Sequence, residues 1–212
     1  MPWFYYMGRV ILGVPLLLLT RFQIKGGENV PKRGPLLVVA NHLSLADPPL
    51  LGCCLKRKLM FMAKIQLFRF KPFGWLITAL GAFPVHRGQL DRAALRQAYQ
   101  VLNDGLALAM FPEGMRSRSR QLRPAFFGAA LIASRSGTPI LPVGISGTQI
   151  LERPYWWLCR PRITVNIGPP FRLPQPGSKL TRDELTELTN SIMQHIAELL
   201  PQEYRGDYSD EN

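Results

Sequence analysis

Short apolar runs separated by segments of helical spacing constrain the fold of this sequence more than any other feature. An apolar run bounded by turn residues indicates a buried strand, and the run at residues 36–40 contains no polar side chain. Runs rich in apolar residues occur at residues 22–25, 36–40, 59–63, 82–86, 106–111, 140–145 and 163–167. Strands that alternate with helices predict an α/β fold with a mixed, mostly parallel sheet flanked by helices.

Three segments carry apolar residues at helical spacing. Gly105 and Gly137 follow the first two, and a glycine in this position can end a helix in a left-handed turn. The third segment begins at Thr181, and Glu184 completes the pattern of a capping box. We therefore expect helices over residues 91–103 and 124–136, and a last helix from Thr181 until Pro201.

The composition is that of a protein with one substantial core. The chain has 212 residues, of which 47% are hydrophobic and 19% are charged. No repeat or linker divides it, so we expect one domain over residues 21–205, after an N-terminal segment 1–20 and before a frayed polar tail 206–212. Cys53, Cys54 and Cys159 lack the paired spacing of zinc ligands and favour reduced, buried thiols.

Residues 1–20 form an aromatic and aliphatic segment that Arg9 and Pro15 interrupt. A bilayer-spanning helix needs about 20 uninterrupted apolar residues, and the segment has no small-residue cleavage site of a signal peptide. Aromatic residues beside a basic one favour a membrane-associating helix that lies at the interface or enters one leaflet. A core helix and a single transmembrane span are the alternatives. We therefore expect a membrane-associated protein on the cytoplasmic face of the bilayer.

The net charge of +12 is concentrated in the body of the chain. No acidic residue lies between Asp47 and Asp91 or between Glu113 and Glu152, whereas eight of the 14 acidic residues follow residue 180. Such a surface predicts an anionic partner: phosphate groups, an anionic bilayer or nucleic acid. Aromatic residues do not alternate with the basic ones as in platforms for single-stranded nucleic acid, so we expect no nucleic-acid partner.

His42 and Asp47 are the residues with the clearest chemical potential. They follow the apolar run 36–40, and α/β folds usually place their chemistry in loops at the ends of such strands. A neutral imidazole can accept a proton near neutral pH, and a carboxylate can fix its tautomer and stabilise the imidazolium. Since no Gly-x-Ser-x-Gly elbow is present, the nucleophile would belong to the substrate. A histidine without chemistry is the simpler alternative.

Arginines follow two other predicted strands. Arg87 lies after the strand at 82–86, while Arg116 and Arg118 lie after the strand at 106–111. Guanidinium groups match phosphate oxygens in a bidentate manner, so these side chains could hold a phosphomonoester. A solvated basic loop is the alternative. The sequence contains no phosphate-binding Gly-Lys-Thr loop, dinucleotide fingerprint or short His/Cys/Asp spacing, and we expect neither a metal nor an organic cofactor.

Four short blocks occur in order along the chain: Asn41 to Asp47 (Asn-His-x4-Asp), Gly81 to Arg87, Phe111 to Ser117 (Phe-Pro-Glu-Gly-x-Arg-Ser) and Leu141-Pro142-Val143. Together they resemble the glycerolipid acyltransferase family, which includes the 1-acylglycerol-3-phosphate acyltransferases. Met115 stands where the family usually has threonine, and His86 replaces a residue that is often acidic or polar. Both departures lie beside positions expected to contact the acceptor.

The resemblance implies transfer of a fatty acyl group to the sn-2 hydroxyl of a lysophospholipid, 1-acylglycerol 3-phosphate. Acyl-CoA or acyl carrier protein would be the co-substrate, and phosphatidic acid for phospholipid biosynthesis the product. His42 would act as general base, and Asp47 would orient it. Glu113 and Gly114 would shape the acceptor pocket, and the phosphate ligands would be Lys64, Arg87, Arg116 and Arg118.

Several alternatives stay open. Within the family, the acceptor could be glycerol 3-phosphate, another lysophospholipid or an amino-acid lipid without phosphate; the clustered arginines favour a phosphate. A non-enzymatic membrane-binding protein on the same fold, or a basic nucleic-acid-binding protein, would belong to a different class. The intact pair of His42 and Asp47 favours an enzyme.

Overall fold

A seven-stranded sheet forms the centre of the molecule. The computed structural model describes residues 2–86, 91–175, 177 and 180–209. The strands are β1 (Arg21–Lys25), β2 (Leu36–Ala40), β3 (Leu59–Lys64), β4 (Ala82–Val85), β5 (Ala107–Met110), β6 (Ile140–Ser146) and β7 (Arg162–Ile167). Their order in the sheet is β1-β7-β6-β2-β5-β3-β4, and neighbouring strands are parallel except for the pair β6 and β7. The predicted mixed, mostly parallel sheet is confirmed.

Strand β2 lies at the middle of the sheet and is buried along its whole length. It pairs in parallel with β5 on one side and with β6 on the other. Because parallel strands end at the same edge of a sheet, the loops that follow β2, β3 and β5 emerge together. These are the loops that carry His42, the residues after Lys64, and Glu113.

Helices cover both faces of the sheet, as predicted. The helices are α1 (Pro2–Leu19), α2 (Asp47–Cys54), α3 (Lys71–Ala79), α4 (Arg92–Asn103), α5 (Gly128–Ser136), α6 (Arg182–Ala197) and α7 (Gln202–Arg205). One buried cluster joins Leu37, Val39 and Leu108 to α4, α5 and α6, and the other joins Leu36, Val38 and Ala40 to α2. Each apolar strand residue therefore packs on the face to which the pleat directs it.

Two helix boundaries test the predictions made from capping patterns. The capping box of Thr181 and Glu184 is present at the start of α6. The prediction of a helix from residue 124 is wrong at its start, because α5 begins at Gly128. The preceding residues form neither helix nor strand and are held by bonds to other segments: the Leu122 N–H donates to the Tyr204 carbonyl, and the Phe126 N–H donates to the Pro112 carbonyl.

Helix α1 packs on the domain through one face. The buried Tyr5 hydroxyl accepts a 3.1 Å hydrogen bond from the Leu59 N–H, and Arg9 donates to the Cys53 carbonyl at 2.9 Å. The opposite face exposes apolar side chains, among them Val10, Leu17 and Leu18. No helix within the described ranges is long and apolar enough to cross a membrane. The association of α1 with a membrane stays a prediction.

The C-terminal residues differ in part from the frayed tail expected over 206–212. Residues Gly206–Tyr208 form a short 3-10 helix, and the half-buried Tyr208 packs against the core. The Leu122 N–H binds the carbonyl of the neighbouring Tyr204 at 2.8 Å. Chain segments with such contacts do not fray, and residues 210–212 lie outside the described ranges.

Candidate active site

His42 and Asp47 are in direct contact at the end of β2. His42 Nδ1 lies 2.8 Å from Asp47 Oδ2, and both side chains are buried. The same Asp47 oxygen accepts the N–H groups of Leu43 at 2.6 Å and Ser44 at 2.7 Å. A carboxylate that serves only as acceptor fixes the Nδ1–H tautomer of the imidazole. Nε2 is then the ring nitrogen that can accept a proton.

The backbone of His42 and the side chain of its neighbour Asn41 are held by two other parts of the chain, the loop after β5 and the strand β6. Its N–H donates to Glu113 Oε1 at 2.9 Å, and its carbonyl accepts from the Ser117 N–H at 2.7 Å. The preceding residue, Asn41, both donates to the Ile145 carbonyl at 2.8 Å and accepts from the Ile145 N–H at 2.7 Å. The loop therefore has little freedom to move away from the strands, which suits a positioned chemical group.

Glu113 is buried beside His42 and joins two loops. Its second carboxylate oxygen accepts the Arg123 N–H at 3.1 Å, so both oxygens have backbone donors. Burial raises the pKa of Glu113 to about 7, although the N–H groups of His42 and Arg123 oppose that rise. The cavity described below does not include Glu113 in its wall. The contact predicted between this carboxylate and the acceptor stays a prediction, whereas its contact with the His42 backbone is present.

Gly114 occupies a position that requires glycine. Its φ is +68°, in the left-handed region, and an added Cβ would lie 2.6 Å from the Phe126 ring. This turn carries the chain away from β5 toward the arginine-rich loop. The part of Gly114 in shaping the acceptor pocket stays a prediction.

A cavity of about 1160 Å³ opens beside His42. The His42 ring stacks on Phe111 with ring centroids 4.1 Å apart. Strand β3 and helices α1 and α3 contribute much of the apolar wall, which includes Phe61, Met62, Phe73, Leu76, Ile77 and Leu80. The basic wall comprises Arg9, Lys64, Arg116, Arg118, Arg120, Arg123 and Arg153. The imidazole therefore faces a space with both apolar and cationic surfaces.

The four predicted phosphate ligands have different positions. Lys64, at the end of β3, and Arg118 both line the cavity. Arg116 also lines it but forms an ion pair with Glu152, a residue from the segment after β6. Arg87 lies outside the described residues.

Sequence reasoning missed several residues of this site. Asn41 and Ser117 belong to the first and third blocks. Their positions in the sequence, near His42 and Glu113, were the signal that could have identified them as site residues. Arg120, Arg123 and Arg153 were counted only as part of the basic charge, and no local pattern indicated that they line a cavity. Nowhere in the described ranges do three or more histidine, cysteine or acidic side chains form a group that could hold a metal ion.

The fold is an α/β sheet of mostly parallel strands with a His-Asp pair at the end of its central strand. Comparison with known proteins shows which family has this arrangement. The family model described as Acyltransferase matches residues 21–146 of the 212-residue chain, more than half of it. The chain belongs to this acyltransferase family.

Two curated relatives and one solved structure illustrate the range of the family. The 1-acyl-sn-glycerol-3-phosphate acyltransferase of Streptococcus pneumoniae is 32% identical over 165 residues, 77% of this chain and 60% of that protein. A lyso-ornithine lipid O-acyltransferase of Pseudomonas aeruginosa is 31% identical over 145 residues, 67% of this chain and 52% of that protein. The crystal structure of the 1-acyl-sn-glycerophosphate acyltransferase PlsC of Thermotoga maritima is similar with a TM-score of 0.69 at 27% identity.

The PlsC likeness covers 89% of this chain and 76% of that chain. In contrast, the chain spans 42% to 63% of the length of three further relatives that bear the 1-acyl-sn-glycerol-3-phosphate acyltransferase name. The family match, residues 21–146, includes strands β1 to β6 and the loops that follow β2, β3 and β5.

Proposed function

We propose that the protein transfers a fatty acyl group from acyl-CoA or acyl carrier protein to the sn-2 hydroxyl of 1-acylglycerol 3-phosphate, forming phosphatidic acid. The observation that carries this proposal is the His42–Asp47 pair at the wall of a cavity with both apolar and cationic surfaces. A lysophospholipid combines an acyl chain with a phosphate, so it can use both kinds of surface. The names of the pneumococcal and Thermotoga relatives point to the same acceptor.

In the proposed reaction, His42 Nε2 removes the proton of the sn-2 hydroxyl as the oxygen attacks the thioester carbonyl. The tetrahedral intermediate then collapses, the carbon–sulfur bond breaks, and the thiolate leaves. The imidazolium returns its proton to the leaving sulfur, which restores neutral His42. Asp47 stabilises the imidazolium through Nδ1.

The cationic wall is proposed to hold the acceptor phosphate. Lys64 and Arg118 line the cavity, and Arg120 and Arg123 add further guanidinium groups. Arginine binds phosphate in a bidentate manner, which also fixes the direction of the glycerol. Loss of one ligand should raise KM for a phosphorylated acceptor more than it lowers kcat.

The bilayer is proposed to be a partner, at the cytoplasmic face. Helix α1 exposes an apolar face, and the chain carries a net charge of +12. An interfacial helix together with basic residues supplies the two signals that stable membrane attachment requires.

The test is acyl transfer from palmitoyl-CoA to 1-acylglycerol 3-phosphate by the full chain in detergent micelles, with His42→Ala alongside. Wild type should form phosphatidic acid, and His42→Ala should be slower by about 10²–10⁴-fold, the usual contribution of a general base. The chain offers a matched control in His86→Ala, since His86 Nδ1 also lies 2.8 Å from a carboxylate, Asp91 Oδ2, but is outside the cavity wall. A folded His42→Ala variant that keeps most of its activity would exclude the proposed base.

The alternative acceptors are glycerol 3-phosphate and other lysolipids. The similarity to a lyso-ornithine lipid O-acyltransferase makes an acceptor without phosphate a specific alternative. Parallel assays with the same donor and each acceptor distinguish them through kcat/KM. The arginines predict a clear preference for the phosphorylated acceptor. A preference for lyso-ornithine lipid would change the proposed acceptor and leave the proposed acyl transfer by His42 unchanged.

A further inference from the structure

The segment between β6 and β7 exposes a cluster of large apolar side chains. Residues 153–160, here named the aromatic loop, include Tyr155, Trp157 and Leu158, which are 65%, 45% and 74% exposed. Trp156 and Tyr155 both contact the Trp157 ring edge to face. Soluble surfaces rarely carry such a cluster without a partner.

The backbone holds this cluster outward. Residues Trp156–Cys159 form a 3-10 helix without a buried residue, and the residues on either side of it have left-handed backbone conformations. Tyr155 has φ of +58° and Arg160 has φ of +40°. For residues other than glycine, such conformations cost free energy and occur preferentially where function requires them.

The aromatic loop begins at the mouth of the cavity. The residue before it, Glu152, accepts the Leu45 N–H at 3.3 Å and pairs with Arg116. Glu152 and Arg153 both line the cavity. The loop connects β6 to β7, whereas α3, with its exposed Phe73 and Trp75, connects β3 to β4. These two connections lie on opposite sides of β2, the strand that precedes His42.

The charge of the loop indicates the kind of partner. Arg153 and Arg160 flank the aromatic residues, and no acidic residue occurs from 153 to 182. A second copy of this loop would bring like charges together, whereas an anionic lipid surface would complement them. Tryptophan and tyrosine concentrate at the headgroup level of bilayers because their rings are amphipathic.

We propose that the aromatic loop is a membrane-docking element, separate from α1, that inserts at the headgroup–acyl boundary of an anionic leaflet. This inference rests on the proposed function, since a lipid acceptor must reach the cavity from that leaflet. The aromatic loop and α3 lie on opposite sides of β2, so a bilayer that contacts both lies against the cavity mouth. A lysolipid can then enter without passing through water, where its acyl chain is unfavourably solvated.

Tryptophan fluorescence tests insertion directly. In a Trp3→Phe/Trp75→Phe variant, the two remaining tryptophans both belong to the aromatic loop. Phosphatidylglycerol vesicles with brominated acyl chains should quench their emission and shift it to the blue. Unchanged emission with vesicles that bind the protein would overturn the proposal, because the loop would then stay in water.

Vesicle flotation tests the energetic contribution of the loop. Trp157→Ser/Leu158→Ser should lower binding to phosphatidylglycerol vesicles about tenfold or more, because two apolar side chains lose their burial. Ile24→Ser is the matched control, since Ile24 is a similarly exposed apolar residue on the edge strand β1. Binding by the double variant equal to that of the control would overturn the proposal. Activity of the double variant on micellar substrate should equal that of wild type.

A second pair of variants tests how much the basic residues contribute to binding of anionic vesicles. Arg160→Gln should weaken binding to anionic vesicles about fivefold, the usual effect of one basic residue near such a surface. Arg182→Gln, an exposed arginine at the start of α6, should leave it unchanged. Sedimentation of the Trp157→Ser/Leu158→Ser variant as a smaller species, with unchanged vesicle binding, would identify a self-association surface and overturn the proposal. Because these measurements need no turnover, an inactive wild type would contradict the proposed function alone.

Discussion

Asp47 contacts both the side chain of His42 and the backbone of the residues next to it. One of its oxygens accepts His42 Nδ1–H together with the N–H groups of Leu43 and Ser44. The pair His86 and Asp91 has the same spacing and the same 2.8 Å separation, yet His86 is half exposed, and Asp91 caps α4. Spacing therefore produces the contact, while burial and a position at the larger cavity, with its apolar and basic walls, distinguish the candidate catalytic pair.

We expect Asp47→Asn to lower kcat by about 10²–10⁴-fold with a smaller change in KM. The amide oxygen of asparagine can take the place of Oδ2, but a neutral amide holds Nδ1–H less strongly than a carboxylate and supplies no negative charge to stabilise the imidazolium. Steady-state kinetics on micellar substrate measure the effect, with Asp91→Asn as the matched substitution in the exposed pair. A change of less than about threefold in folded Asp47→Asn would contradict the orienting role.

Gly114 provides a prediction about the backbone of the third block. Gly114→Ala should destabilise the protein by about 2–3 kcal/mol, because it combines a left-handed φ with a clash against Phe126. Gly105→Ala is the control: its φ is +71°, but no atom lies within 4 Å of an added Cβ. It should cost about 1 kcal/mol. Urea unfolding measures both, and equal losses would show that the Phe126 ring moves aside freely.

At the scale of elements, α1 has two faces with different roles. The inner face is tied to the domain through Tyr5 and Arg9, while the outer face exposes Val10 and Leu18. A deletion of residues 1–20 would remove both faces of α1 at once, and it would also leave the Leu59 N–H without its acceptor. Point substitutions on each face separate membrane binding from stability.

We expect Val10→Ser/Leu18→Ser to lower binding to anionic vesicles about tenfold and to change the free energy of unfolding by less than about 0.5 kcal/mol. Tyr5→Phe should have the opposite pattern, with a loss of about 1–3 kcal/mol, because a buried N–H group loses its partner. Vesicle flotation and urea unfolding of each variant measure the two effects. Equal vesicle binding by wild type and the double serine variant would exclude the outer face as an anchor.

At the scale of the whole molecule, the candidate site depends on contacts between distant segments. Glu113 links the loop after β2 to the segment that contains Arg123, and Glu152 links the segment after β6 to both Leu45 and Arg116. Because Glu113 is buried and its pKa is raised to about 7, its ionisation connects the stability of the fold to pH.

We expect Glu113 to make the protein less stable as pH rises from about 4.5 to about 7. Below this range the carboxyl is protonated in both states; within it the unfolded chain ionises first, so the unfolded state is favoured. The loss is up to about 3 kcal/mol, at 1.36 kcal/mol per pKa unit. Urea unfolding of wild type and Glu113→Gln from pH 4 to pH 8 isolates this contribution as a difference. A difference that does not vary with pH would show that Glu113 has an ordinary pKa.

The sheet and the central pair could be predicted because their signals are local. Each strand appeared as an apolar run, and β2 coincides with the predicted residues 36–40. Asp47 reaches His42 within one turn of chain, so their spacing was enough to predict the contact. The capping box at Thr181 was predictable for the same reason.

Long-range contacts decided what local patterns could not. Helix α5 begins at Gly128 and not at Pro124 because the bonds of Leu122 to Tyr204 and of Phe126 to Pro112 hold the preceding residues in an irregular conformation, against their helical pattern. The role of Arg116 as a phosphate ligand stays a prediction; its ion pair with Glu152 had no local signal, because it depends on the path of the chain after β6.

The sequence by itself determined the strands, the main helices and the His42–Asp47 pair, since each depends on residues close together along the chain. Only the tertiary structure decided that Glu113 supports the His42 backbone, that Asn41 is locked to Ile145, and which arginines line the cavity. These partners are separated by 71 and 104 residues in the first two cases, and sequence spacing carries no information about such distances. They meet because parallel strands deliver their loops to one edge of the sheet.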